Sequence, residues 1–339
     1  MKVAEIREEL KKYDQKTLIE LFINAYKAVP KARKEDALDA LIVDYQGTME
    51  KKATGSINGV ASIADFEVLQ REINEFIEDG YAQNYYAPNK KIPKAKRPKW
   101  RFMVKNYFKL LILIKIEDPC FESSVNLLYN LYKMLCYACN YYIFSTEDPF
   151  RSVGILQQEF YRIVAERTFA TGYSTKNMKT MILLAVSGGL SRDALNIYMY
   201  FELLSLLKTA DLKYIAIREG KQLISEEIAK YQEERTRKKK GYSYSSYVEY
   251  EHDRLVNELT ELIMLIYVEL GEVMEGVPFF YKTYKEINKE ITLYILLRIV
   301  ETANDDRIWE EVYEDGIRRK IKPRESLVDK YEGLQCEKS

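Results

Sequence analysis

The sequence predicts an all-α protein, an irregular stack of helical hairpins of α-solenoid type. Three observations carry that expectation. Apolar residues recur with the helical period almost throughout the 339 residues, and strand-like alternation is nearly absent. Helix breakers are scarce, with 14 glycines and 8 prolines. Hydrophobic residues make up 47% and charged residues 31%, which supplies a core and is too apolar for a disordered chain.

The elements follow in chain order. Asp14 can cap a first helix, with Tyr13 and Leu18 as a staple. Leu18, Leu21, Phe22, Tyr26 and Val29 form its stripe, and Pro30 ends it. Ser62 opens a second helix, striped by Phe66, Leu69, Ile73, Phe76 and Ile77, with Gly80 past its end. A stripe from Phe102 and Tyr107 continues through Leu110 to Ile116. Glu117-Asp118-Pro119 and Glu147-Asp148-Pro149 repeat one helix-start signal, Asp as cap and Pro at the first helical position. They bracket one predicted helix of roughly 25 residues, on the order of 40 Å long at about 1.5 Å per residue. Leu255, Leu259, Leu262, Ile263, Ile266 and Leu270 stripe a later helix. No fixed repeat period is present.

Three stretches read as linkers: residues 47–59, the basic and proline-punctuated 88–98, and the basic, Tyr/Ser-rich 236–246. They divide the chain into an N-terminal helical unit (1–87), a central helical body (98–235), a C-terminal helical segment packed on that body (246–322) and a polar tail (323–339).

The N-terminal stretch LKKYDQKTLIELFINAYKAVPKARKEDALDALI resembles the openings of an uncharacterised all-helical family from low-GC bacteria, over about the first hundred residues. That resemblance implies a helical fold in a bacterial protein and brings no activity with it. The same stretch resembles the SAP-type DNA-binding helix pair through Val3, Leu10 and Leu21, but Tyr13-Asp14 stand where that pair has its glycine.

The chain opens MKVAEIREEL, with no apolar signal region, so the expected compartment is the cytoplasm and the four cysteines are expected to be reduced. The most apolar run, Leu127 to Phe144, contains Asn130, Lys133 and Asn140, which suits a buried helix better than a membrane span.

The chemistry-bearing patterns are weak. His252 is the one histidine. Glu249-x-x-His252 has the spacing of helical di-iron sites, but those need a second such pair. His252-Asp253 resembles the dipeptide of His-Asp phosphohydrolases, which need further histidines. His252 is therefore expected to be exposed on a charged helix. Cys136-x-x-Cys139 falls mid-helix, where core packing is the expectation, and not at a helix N-terminus, where a thiolate would be stabilised. Ser187-Gly188-Gly189-Leu190-Ser191 lacks the Gly-Lys-Ser/Thr of a phosphate loop and reads as a turn, with Ser191 capping the next helix. Glu258, Glu261, Glu269, Glu272 and Glu275 resemble the Glu-x-x-Glu ligands of all-helical nucleoside-triphosphate pyrophosphohydrolases, but the Glu-x-x-Asp second half is absent. These acids, with Asp305, Asp306 and Glu310, are expected on solvated faces. No catalytic residue, metal ligand or cofactor is assigned.

Lys+Arg and Asp+Glu both number 52, so global charge gives no sign of nucleic-acid coating. Two local clusters do. Residues 90–101 contain Lys90, Lys91, Lys94, Lys96, Arg97, Lys99 and Arg101 with Trp100 and no acid. Residues 235–240 contain Arg235, Arg237, Lys238, Lys239 and Lys240, followed by Tyr242 and Tyr244. Cations neutralise phosphates and aromatics stack on bases. The function expected is a non-enzymatic interaction or scaffold protein with a peptide or protein partner. The alternatives are a nucleic-acid (polyanion) module using loops 90–101 and 235–240, with Lys94, Lys96, Arg97, Lys99, Trp100, Arg101, Arg237, Lys238, Lys239, Lys240, Tyr242 and Tyr244 in contact, and a metal-dependent all-helical NTP hydrolase.

Overall fold

A computed structural model describes residues 12–13, 15–28, 63–86, 91–238 and 246–337. Helix accounts for 77% of them, in 14 α-helices, and no strand occurs among the described residues. The chain divides into two compact units, Met1–Ala61 and Ser62–Ser339.

In the first unit one helix is described, α1 (Gln15–Ala28). Its Ile19, Leu21, Phe22 and Ile23 are exposed. Asp14, the expected cap, lies outside the described residues, as does the 47–59 linker.

The second unit begins with α2 (Ile63–Tyr81), which the sequence grouped with the N-terminal unit. Phe66, Leu69, Ile73, Phe76 and Ile77 are all buried, and α4 (Phe121–Asn140) packs against that helix. Between them in sequence, α3 (Trp100–Ile112) also packs on α4. Arg167 closes the end of α3. Its guanidinium donates to the carbonyls of Ile112 (3.2 Å) and Ile114 (2.7 Å) and to the Ser124 hydroxyl (3.2 Å). The orphan carbonyls of a helix C-terminus are thereby satisfied by a cation.

The repeated helix-start signal works once. Asp148 caps α5 (Pro149–Val153): its Oδ1 accepts from the Arg151 amide at 3.0 Å, with Pro149 at the first helical position. Asp118 instead accepts from the Cys120 amide at 2.9 Å, closing a turn ahead of the helix, so Pro119 lies outside α4. At the other end α4 stops at Asn140, and 141–147 is non-helical, so the expected helix of roughly 25 residues is 20 long.

The remaining helices stack largely on their sequence neighbours. They are α6 (Gln157–Ala170), α7 (Thr175–Val186), α8 (Asn196–Leu206), α9 (Ala210–Lys238), α10 (Ser246–Leu270), α11 (Val273–Thr283), α12 (Lys289–Val300), α13 (Asp306–Arg318) and α14 (Glu325–Glu337). α9 pairs with α10, α10 with α11 and α12, and α12 with α13. The expected polar tail is largely α14. Leu327 is buried, the Tyr331 ring stacks on Tyr313 at 4.6 Å, and Lys330 bridges Glu301 at 2.9 Å. Among the described residues no helix is long and apolar enough to cross a membrane.

Candidate functional site

Residues 91–99 cannot continue a helix, because Pro93 and Pro98 lack the amide donor and crowd the preceding turn. They fold into tight turns ending in one 3-10 turn, Arg97–Lys99, and Arg97 Nε donates to the Ile92 carbonyl at 2.8 Å. Lys94, Arg97 and Arg101 then line one cavity of about 330 Å³ together with Ser145, Thr146 and Ser152. The rest of its lining is Tyr85, Pro98 and Trp100, so no carboxylate takes part. Lys96 and Lys99 are exposed beside the cavity without lining it.

The expectation for Trp100 is corrected. Its indole is not held out to stack on a base. It is 5% exposed and lies flat on Phe144, centroids 4.0 Å apart, and Phe144 continues onto Phe76. An indole at the first position of α3 covers more apolar area by turning inward than a surface position would allow.

Tyrosines supply the exposed aromatic surface instead. Tyr81, Tyr137, Tyr141 and Tyr142 are 43%, 39%, 48% and 54% exposed. Tyr81 meets Tyr137 edge-on at 5.2 Å, Tyr137 stacks on Tyr141 at 4.4 Å, and Tyr142 stacks on Tyr86 at 6.0 Å. The two groups of rings join through the 141–146 segment. Tyr142 is three residues from Ser145 and Tyr86 follows Tyr85, and both Ser145 and Tyr85 line the basic cavity.

A buried polar cluster fixes the cavity wall. Besides capping α5, Asp148 accepts from the Ser191 hydroxyl (2.7 Å) and the Arg192 amide (3.0 Å) through Oδ2. Burial by itself would raise this carboxyl, but the bonds from Arg151, Ser191 and Arg192 outweigh it and hold the pKa below the ordinary Asp value. Gln157, also buried, accepts from the Ser191 amide at 2.8 Å, and its Nε2 lies 3.1 Å from the Gly189 carbonyl, 3.3 Å from Tyr132 Oη and 3.4 Å from Cys136 Sγ. Ser191 thus spends its hydroxyl on Asp148 and does not cap α8, whose cap residue is Leu195. The Ser187–Ser191 segment is a non-helical connection with a bend at Ser187-Gly188, between α7 and α8. A Cβ on Gly189 would come within 2.2 Å of the Cys136 carbonyl oxygen, so this close approach admits only glycine.

The second basic cluster is differently placed from its reading as a loop. α9 runs on through Arg237 and Lys238, whose side chains, with Lys239, Lys240, Tyr242 and Tyr244, lie outside the described residues.

The other candidates resolve individually. His252 is 5% exposed, against the expectation of an exposed residue. Its ring lies flat on Tyr231 at 4.1 Å and its Nδ1 is 3.3 Å from Glu227. It is sandwiched because α9 and α10 pack along that length. Cys136 is buried as expected, and burial pushes its thiol up to about 12 against the lowering effect of Tyr132 and Gln157, but Cys139 is only partly covered. Glu258 and Glu261 are not on a solvated face. They sit one turn apart on α10, mostly covered, with the Tyr200 hydroxyl donating to Glu258 and the Tyr284 hydroxyl to Glu261 at 3.0 Å. Burial first, then the charge of Glu258, pushes Glu261 up to about 7, while Tyr284 pulls it down. Glu269 pairs with Lys213 and Glu272 accepts from Tyr214, so these carboxylates face different partners. Asp305 caps α13 and pairs with Arg307. Among the described residues no group of three or more His, Cys, Asp or Glu side chains is arranged to hold a metal ion.

The residues that sequence reading missed are Tyr81, Tyr86, Tyr137, Tyr141, Tyr142 and the three hydroxyls. Their signal was the pair of doublets Tyr85-Tyr86 and Tyr141-Tyr142, each just beyond a helix end. No protein-family model, no curated protein and no solved structure matches this chain.

Proposed function

We propose that this is a non-enzymatic binding protein whose tyrosine-and-cation face takes single-stranded nucleic acid. One observation carries the reading: Lys94, Arg97 and Arg101 line one cavity without a carboxylate, and the 141–146 segment that supplies Ser145 and Thr146 to its lining also bears the exposed Tyr141 and Tyr142. Single strands are held by that combination, rings for bases and cations for phosphates. Their bases are unpaired and free to lie on a tyrosine, which bases within a duplex are not. The four cysteines are free, which fits the reducing cytoplasm we assign to the protein.

A protein or peptide partner, an acidic and aromatic segment, is the second reading. Tyrosine and arginine are both enriched at protein interfaces, and the same face offers both. Fluorescence anisotropy with a labelled oligothymidylate over a salt series tests the first. Affinity should fall as salt rises, and Lys94→Gln with Arg101→Gln should flatten the slope by about 1.4, at about 0.7 per phosphate contact on single strands. Tyr142→Ala should weaken binding by roughly 1–3 kcal/mol without changing the slope. Absence of binding at low salt rejects the nucleic-acid reading, and the peptide reading then stands to be tested on the same variants.

A further inference from the structure

We infer that the cavity between Lys94, Arg97 and Arg101 receives the terminal phosphate of a nucleic-acid strand, a phosphomonoester, in preference to an internal phosphodiester. This rests on the nucleic-acid reading of the surrounding face.

Charge favours a strand end in this cavity. An internal phosphodiester carries one negative charge, and successive phosphates along an extended strand are met by cations spread along a groove. Here three cationic residues line a single cavity of about 330 Å³ with no carboxylate in its lining. Neither Lys94 nor Arg101 has a carboxylate partner among the described residues, so their charge is not already neutralised. A terminal monoester carries roughly −1.5 to −2 near pH 7 and presents three free oxygens. The Lys94 ammonium and the Arg101 guanidinium match that charge of nearly two better than they match the single charge of a diester.

The hydroxyls and rings agree with a strand end. Thr146 and Ser152 hydroxyls lie 2.7 Å apart, and Ser152 donates to the Asp148 carbonyl at 2.9 Å, so this part of the wall is held in place before any ligand arrives. Ser145 is exposed at the rim and can donate to a phosphate oxygen. Tyr142, three residues along the chain from Ser145, is more than half exposed.

The test uses the full chain and three internally labelled oligothymidylates of one length: 5′-phosphorylated, 3′-phosphorylated, and hydroxyl at both ends. Anisotropy titrations should show one phosphorylated end bound roughly tenfold or more tightly than the hydroxyl-ended strand. Inorganic phosphate should abolish that preference, and so should Lys94→Gln combined with Arg101→Gln, with thermal melts checking that the variant is folded. Three strands bound alike would overturn the terminal-phosphate inference and leave the nucleic-acid reading standing. No binding by any strand would remove both. A phosphoserine peptide bound as tightly as the phosphorylated strand, with the hydroxyl-ended strand unbound, would overturn both in favour of a phosphopeptide.

Discussion

The Asp148 carboxylate accepts the Ser191 hydroxyl at 2.7 Å, joining the cap of a five-residue helix to a turn 43 residues further along the chain. The same carboxylate takes amides from Arg151 and Arg192, so one side chain ties two separate segments of backbone together. Asp148→Ala removes the cap and leaves the buried Ser191 hydroxyl without its acceptor. Urea denaturation should show a loss of about 2–4 kcal/mol, and Asp148→Asn should lose less. The depressed pKa sets the pH window. The stabilisation is present above the unfolded value near 3.8 and is lost as pH falls through the folded value, so the gap between wild type and Asp148→Asn should narrow in acid.

Gly189→Ala should cost more than Gly188→Ala. At 189 the new Cβ meets a backbone oxygen, Cys136 O at 2.2 Å, which cannot rotate away. At 188 it meets the Cys136 Cβ at 3.2 Å, and the left-handed φ of +123° adds strain. Strain of that kind costs about 1–3 kcal/mol, and forced backbone displacement at 189 should exceed it. Thermal melts of the two variants rank them, and an equal or reversed order refutes the packing argument.

Glu261 should make stability depend on pH in the opposite sense to Asp148. Its folded value of about 7 lies above the ordinary 4.5. Its contribution is therefore complete below pH 4.5 and is lost as pH rises to 7, where the mostly covered carboxylate ionises beside Glu258. Glu261→Gln keeps an acceptor for the Tyr284 hydroxyl and cannot ionise. Relative to wild type it should gain on the order of 1–3 kcal/mol between pH 4.5 and 8. Denaturation midpoints at four pH values measure this. A difference between the two proteins that stays constant with pH would place the titration elsewhere.

Trp100→Ala should destabilise the second unit by about 3–5 kcal/mol, because it removes a buried indole from the stack on Phe144 and Phe76. An exposed base platform would instead cost almost nothing in stability when truncated. The melt of this variant separates a core residue from a contact residue without any ligand.

Helices were legible here where a stripe has only one face to bury, as in Phe66 to Ile77 on α2. Identical letters proved unequal where the following residues differ. Asp148-Pro149 starts a helix, while Asp118-Pro119 closes a turn onto Cys120. The fates of Trp100 and His252 depended on partners distant in sequence, Phe144 and Glu227, which no local pattern names. Glu258 and Glu261 looked solvated because an acid one helical turn from another is ordinary on a surface. What covers them is Tyr200 and Tyr284, contributed by other segments. The basic stretch 90–101 was visible as charge, whereas the exposed tyrosine rings are scattered over residues 81–142 and come together only through α2, α4 and the segments that follow them.

Four positions, Asp148, Gln157, Gly189 and Ser191, hold one another through bonds that no substitution reproduces in kind. The apolar stripes around them tolerate exchange among leucine, isoleucine and methionine at small cost. Drift in this lineage would therefore change the identities of the stripe residues, though not their apolar spacing, sooner than this quartet. A remote cousin whose similarity has decayed past alignment could still be traced by an aspartate, a glutamine nine residues on, and a glycine and serine some thirty beyond that.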